Sequence, residues 1–364
     1  MIAMNDFKAD PDSLIADELK AVERVIRSGW YVLGNEVKAF EKSFAEASGI
    51  AHSMGVGNGM DAIEIGLRAL GIGPGDEVIT TPMTAFATVL AVLRAGATPV
   101  LADIHAESGL LDLASVRSKV SPKTKAVLLV HLYGQVRDMD AWVAYCKEAG
   151  LFLLEDCAQA HLAAWNGTVA GGFGEWGAYS FYPTKNLGAP GDGGALNTRR
   201  GDIAAKVSVL RNYGQEKRYY HSDIGLNSRL DEIHAAVLTE RLKWLPRFTE
   251  RRREIAEAYF AGIRNAKVRL MAPPFARENH VYHLFVVACD ERDALSKHLT
   301  ARGVENLIHY PVPMHGQAAC AGIFPRDISL PVADRHAATC LSIPCHHNMS
   351  LEDAQKVIEA VNAF

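Results

Sequence analysis

Short apolar runs alternate with longer stretches of helical periodicity through the first two thirds of the chain. Alternation of this kind builds a largely parallel sheet wrapped in helices, an α/β architecture. The strongest strand signals are Glu77–Thr80, 126–131 and 151–155, followed by GAYSF from Gly177 and GGALNT from Gly193. Helices are expected at Asn35–Ser48, ended by Gly49, and at 138–149, ended by Gly150. From about Arg229 the texture changes to one long helical stretch in which Pro246 is expected to kink or divide the helix. The division is therefore placed between a large domain, 1–245 with the N-terminal segment, and a smaller α+β domain, 246–364. In the latter, VYHLFVVAC from Val281 reads as a strand, and Arg292–Ala301 and 351–363 read as helices.

A chain of 364 residues is long enough for two such domains, and 49% apolar with 22% charged residues describes a folded globule. Lys and Arg total 38 against 42 Asp and Glu, for a net charge of -4. That balance gives no bulk attraction to nucleic acid or an anionic membrane, so a phosphate-bearing ligand must be held by a local site. The six cysteines form no CxxC pair and read as scattered buried thiols. The first residues lack a signal-peptide pattern, and no apolar run approaches the roughly 20 residues of a membrane span. The expected address is the cytoplasm.

Three segments carry chemistry. In GLFLLEDCAQAHLA an apolar run ends in Glu155 and Asp156, and the carboxyl ends of strands are where α/β sheets bind ligands. In SFYPTKNLGAPGDGGAL, Lys185 sits near Gly188, Gly191, Gly193 and Gly194, which read as a tightly bent backbone leaving room around the amine. A lysine, ordinarily near pKa ~10.4, becomes a neutral nucleophile when its surroundings lower that value. In GVGNGMDAI, Gly57, Asn58 and Gly59 open an amphipathic helix from about Met60 to Leu70, whose free N–H groups and dipole suit a phosphate. The spacing is neither a P-loop nor a complete GxGxxG. An amine, a strand-end acid and a phosphate site are together the set that pyridoxal phosphate requires.

In order along the chain, NGMDAI, EDCAQAH, SFYPTKNLGAPGDGGAL, LRNYGQEKRYYHSDIGLNSRLDEIHAA and HYPVPMHGQAA resemble the DegT/DnrJ-type sugar aminotransferases. The resemblance runs from about Trp30 to the C-terminus. It implies a fold-type-I pyridoxal 5'-phosphate enzyme with a mixed, mainly parallel sheet and a smaller C-terminal domain. It also implies a homodimer whose active sites lie at the subunit interface. Carried over by motif, Lys185 holds the cofactor as an imine and moves the proton, Asp156 pairs with the pyridine nitrogen, and Gln159 with the ring hydroxyl. Phe86, in PMTAFAT, would stack on the ring. Ser180 with the backbone at Gly59 and Met60 would hold the phosphate, and Asn227 would reach it from the other subunit.

Many relatives have a small hydroxyl residue where this chain has Met60, and an apolar residue followed by Asp61 is similar to the branch acting on 3-keto sugars. The resemblance thus implies L-glutamate as donor and a nucleotide-linked, dTDP-type 3-keto-6-deoxyhexose as acceptor, giving a 3-amino-3,6-dideoxyhexose. Tyr182, His309 and Tyr310 are the candidate sugar contacts, and Lys217, Arg218 and Arg229 could offset the diphosphate. The alternatives are a 4-keto sugar or a cyclitol ketone and, in another class, an idle sensor of cofactor or sugar. A dehydratase relative would carry histidine in place of Lys185. His346 and His347 beside Cys345 are not expected to bind metal, because adjacent histidines do not easily point at one ion.

Overall fold

The computed structural model describes residues 1–364. Helices α1 (Asp12–Ser28) and α2 (Asn35–Ser48) lead into β1 (His52–Val56), α3 (Gly59–Ala69), β2 (Glu77–Thr80), α4 (Phe86–Arg94) and β3 (Thr98–Leu101). Next come α5 (Leu113–Arg117), β4 (Thr124–Val130), α6 (Met139–Ala149), β5 (Phe152–Asp156) and a small hairpin of β6 (Ala164–Trp165) and β7 (Thr168–Val169). β8 (Trp176–Ser180), β9 (Gly194–Thr198) and α7 (Gly201–Leu210) precede a second hairpin, β10 (Gln215–Lys217) and β11 (Tyr220–His221). The long α8 (Glu232–Gly262) is followed by β12 (Val268–Leu270), β13 (Phe285–Cys289), α9 (Arg292–Ala301), α10 (Pro331–Thr339), β14 (Cys340–Ile343) and α11 (Leu351–Asn362).

Seven strands form one sheet in the order β1-β9-β8-β5-β4-β2-β3. β3, β2, β4, β5 and β8 pair in parallel, while β9 runs antiparallel to both its neighbours. This is the largely parallel sheet that the alternating pattern implies, mixed as the resemblance implies. Side chains along β4 alternate between two cores: Ala126 and Leu128 pack with residues of α3, α4 and α7, and Val127 and Leu129 with residues of α2, α6 and the first half of α8. A sheet covered on both faces makes its inner strands read as continuous apolar runs. β1 and β3 escape that signal because they are edge strands, β1 interrupted by Gly55 and β3 by Pro99.

Three expectations are corrected. α8 runs unbroken for 31 residues with Pro246 inside it. The interior proline costs on the order of 3 kcal/mol, and burial on both sides of it offsets that: Leu242, Leu245 and Phe248 before and around it, Ile255, Ala256 and Tyr259 after it. Leu245 belongs to the large-sheet core and Ile255 to a separate core built on β12, β13, β14, α9 and α11, so one helix serves both. The strand expected from Val281 begins only at Phe285, because residues before it turn to the large sheet instead. The Val281 N–H donates to the Gly134 carbonyl at 2.9 Å, and the Leu284 N–H to that of Tyr133 at 3.3 Å. The N-terminal residues, grouped above with the large domain, pair with the C-terminal part: the Ile2 N–H donates to Gly303 at 2.7 Å, and the Glu305 N–H to Ile2 at 2.9 Å. All six cysteines are buried and unpaired. No helix is long and apolar enough to cross a membrane.

Candidate active site

The carboxyl ends of the parallel strands gather the chemistry, as an open α/β sheet dictates. β5 ends in Glu155 and Asp156, which point to opposite faces as successive strand residues must. Glu155, fully buried, accepts hydrogen bonds from the backbone N–H groups of Gly171 at 2.7 Å, Phe173 at 2.8 Å and Gly174 at 2.9 Å, and lies 2.9 Å from His131 Nε2. It therefore knits a loop and is spent before it can ligate. The triad His131, Glu155 and Cys157 has metal-ligand chemistry, but its carboxylate is saturated by N–H donors. Glu155→Ala is expected to destabilise the fold by about 3–5 kcal/mol in a denaturant titration, because one buried and two part-buried N–H groups and His131 lose their partner.

Asp156 faces the site. Its Oδ2 accepts from the Thr88 hydroxyl at 2.8 Å and its Oδ1 from the Ala158 N–H at 3.1 Å. Burial pushes its carboxyl up, opposed by those two donors and by the charges of Lys185 and His131. Lys185 follows β8 in a turn whose own N–H donates to the Tyr182 carbonyl at 2.8 Å. The lysine is half-buried, its amine makes no hydrogen bond or ion pair, and desolvation pushes that amine down to about 8 against the pull of Asp156. His161 and His309 sit close enough to feel the lysine charge, and burial takes them down to about 3 and about 4.

The glycines around Lys185 do a different job from the one expected. None of Gly188, Gly191, Gly193 or Gly194 has left-handed φ. A Cβ on Gly194 would lie 2.7 Å from the Gly59 nitrogen, and one on Gly59 would lie 2.8 Å from Ser180 Cβ. Close approach, not tight turning, requires glycine at these positions, and it seats the start of α3 against the end of β8. Asn58 caps α3, its Oδ1 accepting from the Asp61 N–H at 2.8 Å, while the N–H groups of Gly59 and Met60 stay free. Phe86, half-buried, opens α4 two residues before Thr88.

Gln159 is buried, and its orientation is set by a strained neighbour. Tyr133, at φ 63°, turns its N–H onto Gln159 Oε1 at 2.6 Å, leaving Nε2 to donate, here to the Tyr310 hydroxyl at 3.2 Å. The Tyr133 hydroxyl donates to the His309 carbonyl at 2.6 Å and lies 2.8 Å from His336 Nε2, so segment 309–310 of the C-terminal part is held over the sheet. Burial pushes the Tyr310 phenol up to about 12. His309 Nδ1 lies 2.8 Å from the Ser342 hydroxyl.

The structure thus brings together Lys185, Asp156, Gln159, His309 and Tyr310, with Ser180, Gly59 and Met60 at an adjoining end. Others stand apart within this chain. Tyr182 is 52% exposed. Lys217 and Arg218 project from the β10–β11 hairpin, over the rings of Tyr220 at 5.5 Å and Tyr219 at 5.1 Å. Arg229 donates to Asn212 Oδ1 at 3.2 Å, and Asn227 is exposed with no side-chain hydrogen bond. His347 lies 3.1 Å from Asp10 Oδ1 and stacks on Phe248. Thr88 and Tyr133 were not singled out by sequence, although both were within reach: Thr88 shares PMTAFAT with Phe86, and Tyr133 lies just past the end of β4.

A model of the DegT/DnrJ/EryC1/StrS aminotransferase family matches residues 12–362. The chain is 43% identical to dTDP-3-amino-3,4,6-trideoxy-alpha-D-glucose transaminase of Streptomyces venezuelae, over 99% of this chain and 95% of that one. It is 42% identical to dTDP-3-amino-3,6-dideoxy-alpha-D-galactopyranose transaminase of Aneurinibacillus thermoaerophilus, over 95% of this chain and 94% of that one. Its fold matches the crystal structure of S. venezuelae DesV in complex with ketimine intermediate at a TM-score of 0.96 and 43% identity, covering 100% and 98% of the two chains.

Proposed function

Because the chain belongs to the DegT/DnrJ/EryC1/StrS aminotransferase family, we propose that it moves the amino group of L-glutamate to C3 of a dTDP-linked 3-keto-6-deoxyhexose, giving a 3-amino-3,6-dideoxyhexose. The protein is a pyridoxal-phosphate-dependent aminotransferase. The observation that carries the reading is the unpartnered amine of Lys185, pushed down to about 8 beside the buried Asp156. A partner-free amine, a buried acid, a donating amide and two free helix N–H groups fit an aldehyde, a pyridine nitrogen, a ring hydroxyl and a phosphate in turn.

When bound, the cofactor supplies an aldehyde that links to amines and a ring that withdraws electrons from the neighbouring carbon. Lys185 would hold the cofactor aldehyde. Freed from it, an amine pushed down to about 8 could take a proton from the glutamate α carbon while neutral and give one back as its conjugate acid. With a keto sugar as acceptor, the same amine would deliver the proton to the carbon that receives the amino group. Asp156 would keep the pyridine nitrogen protonated, and Thr88 and the Ala158 N–H hold the acid in place. Gln159, with its oxygen engaged by Tyr133, can only donate toward the ring hydroxyl. Phe86 would stack on the ring, and Ser180, Gly59 and Met60 would hold the phosphate.

His309, Tyr310 and Tyr182 line the sugar, and Lys217, Arg218 and Arg229 offset its diphosphate. The working unit is a homodimer in which Asn227 reaches the partner's phosphate. What supports this is the exposure of Asn227 together with Trp30, Tyr31, Tyr219, Tyr220 and Ile224, apolar surface that a single chain leaves in water. A division near residue 245 is supported by the change of core along α8, with the first residues pairing onto the C-terminal part. Reduced buried thiols suit a cytoplasmic enzyme.

The visible spectrum tests the reading. The purified protein, loaded with cofactor, is expected to be yellow and to bleach to the amine form on adding L-glutamate without any sugar. A yellow protein indifferent to glutamate would overturn the donor assignment. Restored colour on adding a dTDP-3-keto sugar, but not its 4-keto isomer, is expected for amination at C3.

A further inference from the structure

The first turn of α3 carries charges that the roles above leave unused. Beside the free N–H groups of Gly59 and Met60, Asp61 follows at once and Glu64 one turn later, only 8% and 1% exposed. A dianionic phosphate bound at this end meets a carboxylate in the same turn, and like charges at that range oppose binding. Arg94, the last residue of α4, reaches across to both. Its Nη1 lies 3.3 Å from Asp61 Oδ1 and 4.0 Å from Met60 Sδ, and its Nε lies 2.8 Å from Glu64 Oε2. The two acids differ in what else they have. Glu64 keeps a second cation, Arg68 at 2.6 Å, whereas Asp61 is paired with Arg94 alone. The other Asp61 oxygen accepts from Asn58 Nδ2 at 3.1 Å, so the same ion pair steadies the residue that caps the helix.

We propose that Arg94 is a positioning residue for the cofactor phosphate: it neutralises Asp61, so that the first turn of α3 offers the anion N–H groups without an opposing charge. The proposal rests on reading that turn as the phosphate end of the cofactor site. It accounts for a buried acid where the helix dipole would otherwise be left to an incoming anion.

Comparing pyridoxal 5'-phosphate with pyridoxal isolates the effect. Both carry the same pyridine nitrogen and ring hydroxyl; pyridoxal lacks the phosphate and masks its aldehyde as an internal hemiacetal, a cost common to all variants that cancels when their ratios are compared. The ratio of their dissociation constants is measured by absorbance titration of the full-length protein after removal of cofactor, with circular dichroism to verify the fold. Arg94→Met is expected to lower the preference for the phosphorylated form about tenfold. Adding Asp61→Asn to Arg94→Met is expected to restore it to within about threefold of wild type, since removing both charges removes the conflict. An unchanged ratio in Arg94→Met, or a double variant that stays low, overturns the proposal. If Arg94→Met does not fold, Asp61→Asn decides alone: its ratio must hold or rise, and a fall overturns the role given to Arg94. A wild-type ratio near one removes the phosphate end itself, which sets failure of the underlying reading apart from failure of the proposal.

Discussion

Lys185→Ala is expected to abolish transamination, lowering turnover by roughly 10⁴-fold or more, because in the proposed mechanism one amine both anchors the cofactor and carries the proton in each direction. The variant should still fold. Lys185 makes no side-chain hydrogen bond or ion pair, so its removal leaves no partner stranded. It should also retain cofactor without covalent attachment, since the phosphate end and Asp156 remain. Three measurements check this together: steady-state turnover, cofactor retained through gel filtration, and loss of the yellow band in favour of the free aldehyde spectrum. Turnover within tenfold of wild type would remove Lys185 from the mechanism.

Asp156→Asn should keep the shape of the site and lose its charge. The remaining side-chain oxygen can keep accepting from the Ala158 N–H while the new amide donates to the Thr88 hydroxyl, and the position stays buried, so folding is expected to survive. Without the carboxylate the pyridine nitrogen is no longer held protonated, and the rate of the glutamate half-reaction should fall roughly 10²–10⁴-fold. Stopped-flow bleaching on mixing with L-glutamate reads that step directly. A loss of less than about threefold would mean that Asp156 positions the ring without tuning it. Thr88→Ala should produce a smaller effect of the same kind, because the acid keeps its Ala158 donor and its charge.

How much of this was legible differs by residue. Lys185, Asp156, Gln159 and Ser180 lie in contiguous strings whose order along the chain follows the order of strand ends, so the local pattern already places them at one edge of a parallel sheet. Thr88 and Tyr133 were less legible because their work is done across long sequence separations, to Asp156 and to His309 and His336. Division of the helix at Pro246 was misread for a related reason. The rule that proline interrupts a helix is local, whereas the burial that keeps α8 continuous comes from two cores contributed by distant segments.

The glycines near Lys185 show the same limit. Their number marked a crowded place, but a sequence does not distinguish a glycine needed for left-handed φ from one needed for close approach, and here the neighbours Asn58, Gly59 and Ser180 decide.

Periodicity, breakers and ordered motifs are properties of neighbours in the chain, and for this protein they determined the α/β class, the main strands and helices, and the cofactor. Tertiary structure alone decided which charges compensate one another, which amide end of Gln159 faces the site, and how the segment at 309–310 is held over the sheet. The physical reason is range. Secondary-structure signals act over a few residues, while desolvation, ion pairing and hydrogen-bond orientation depend on atoms that meet only when the chain has closed on itself.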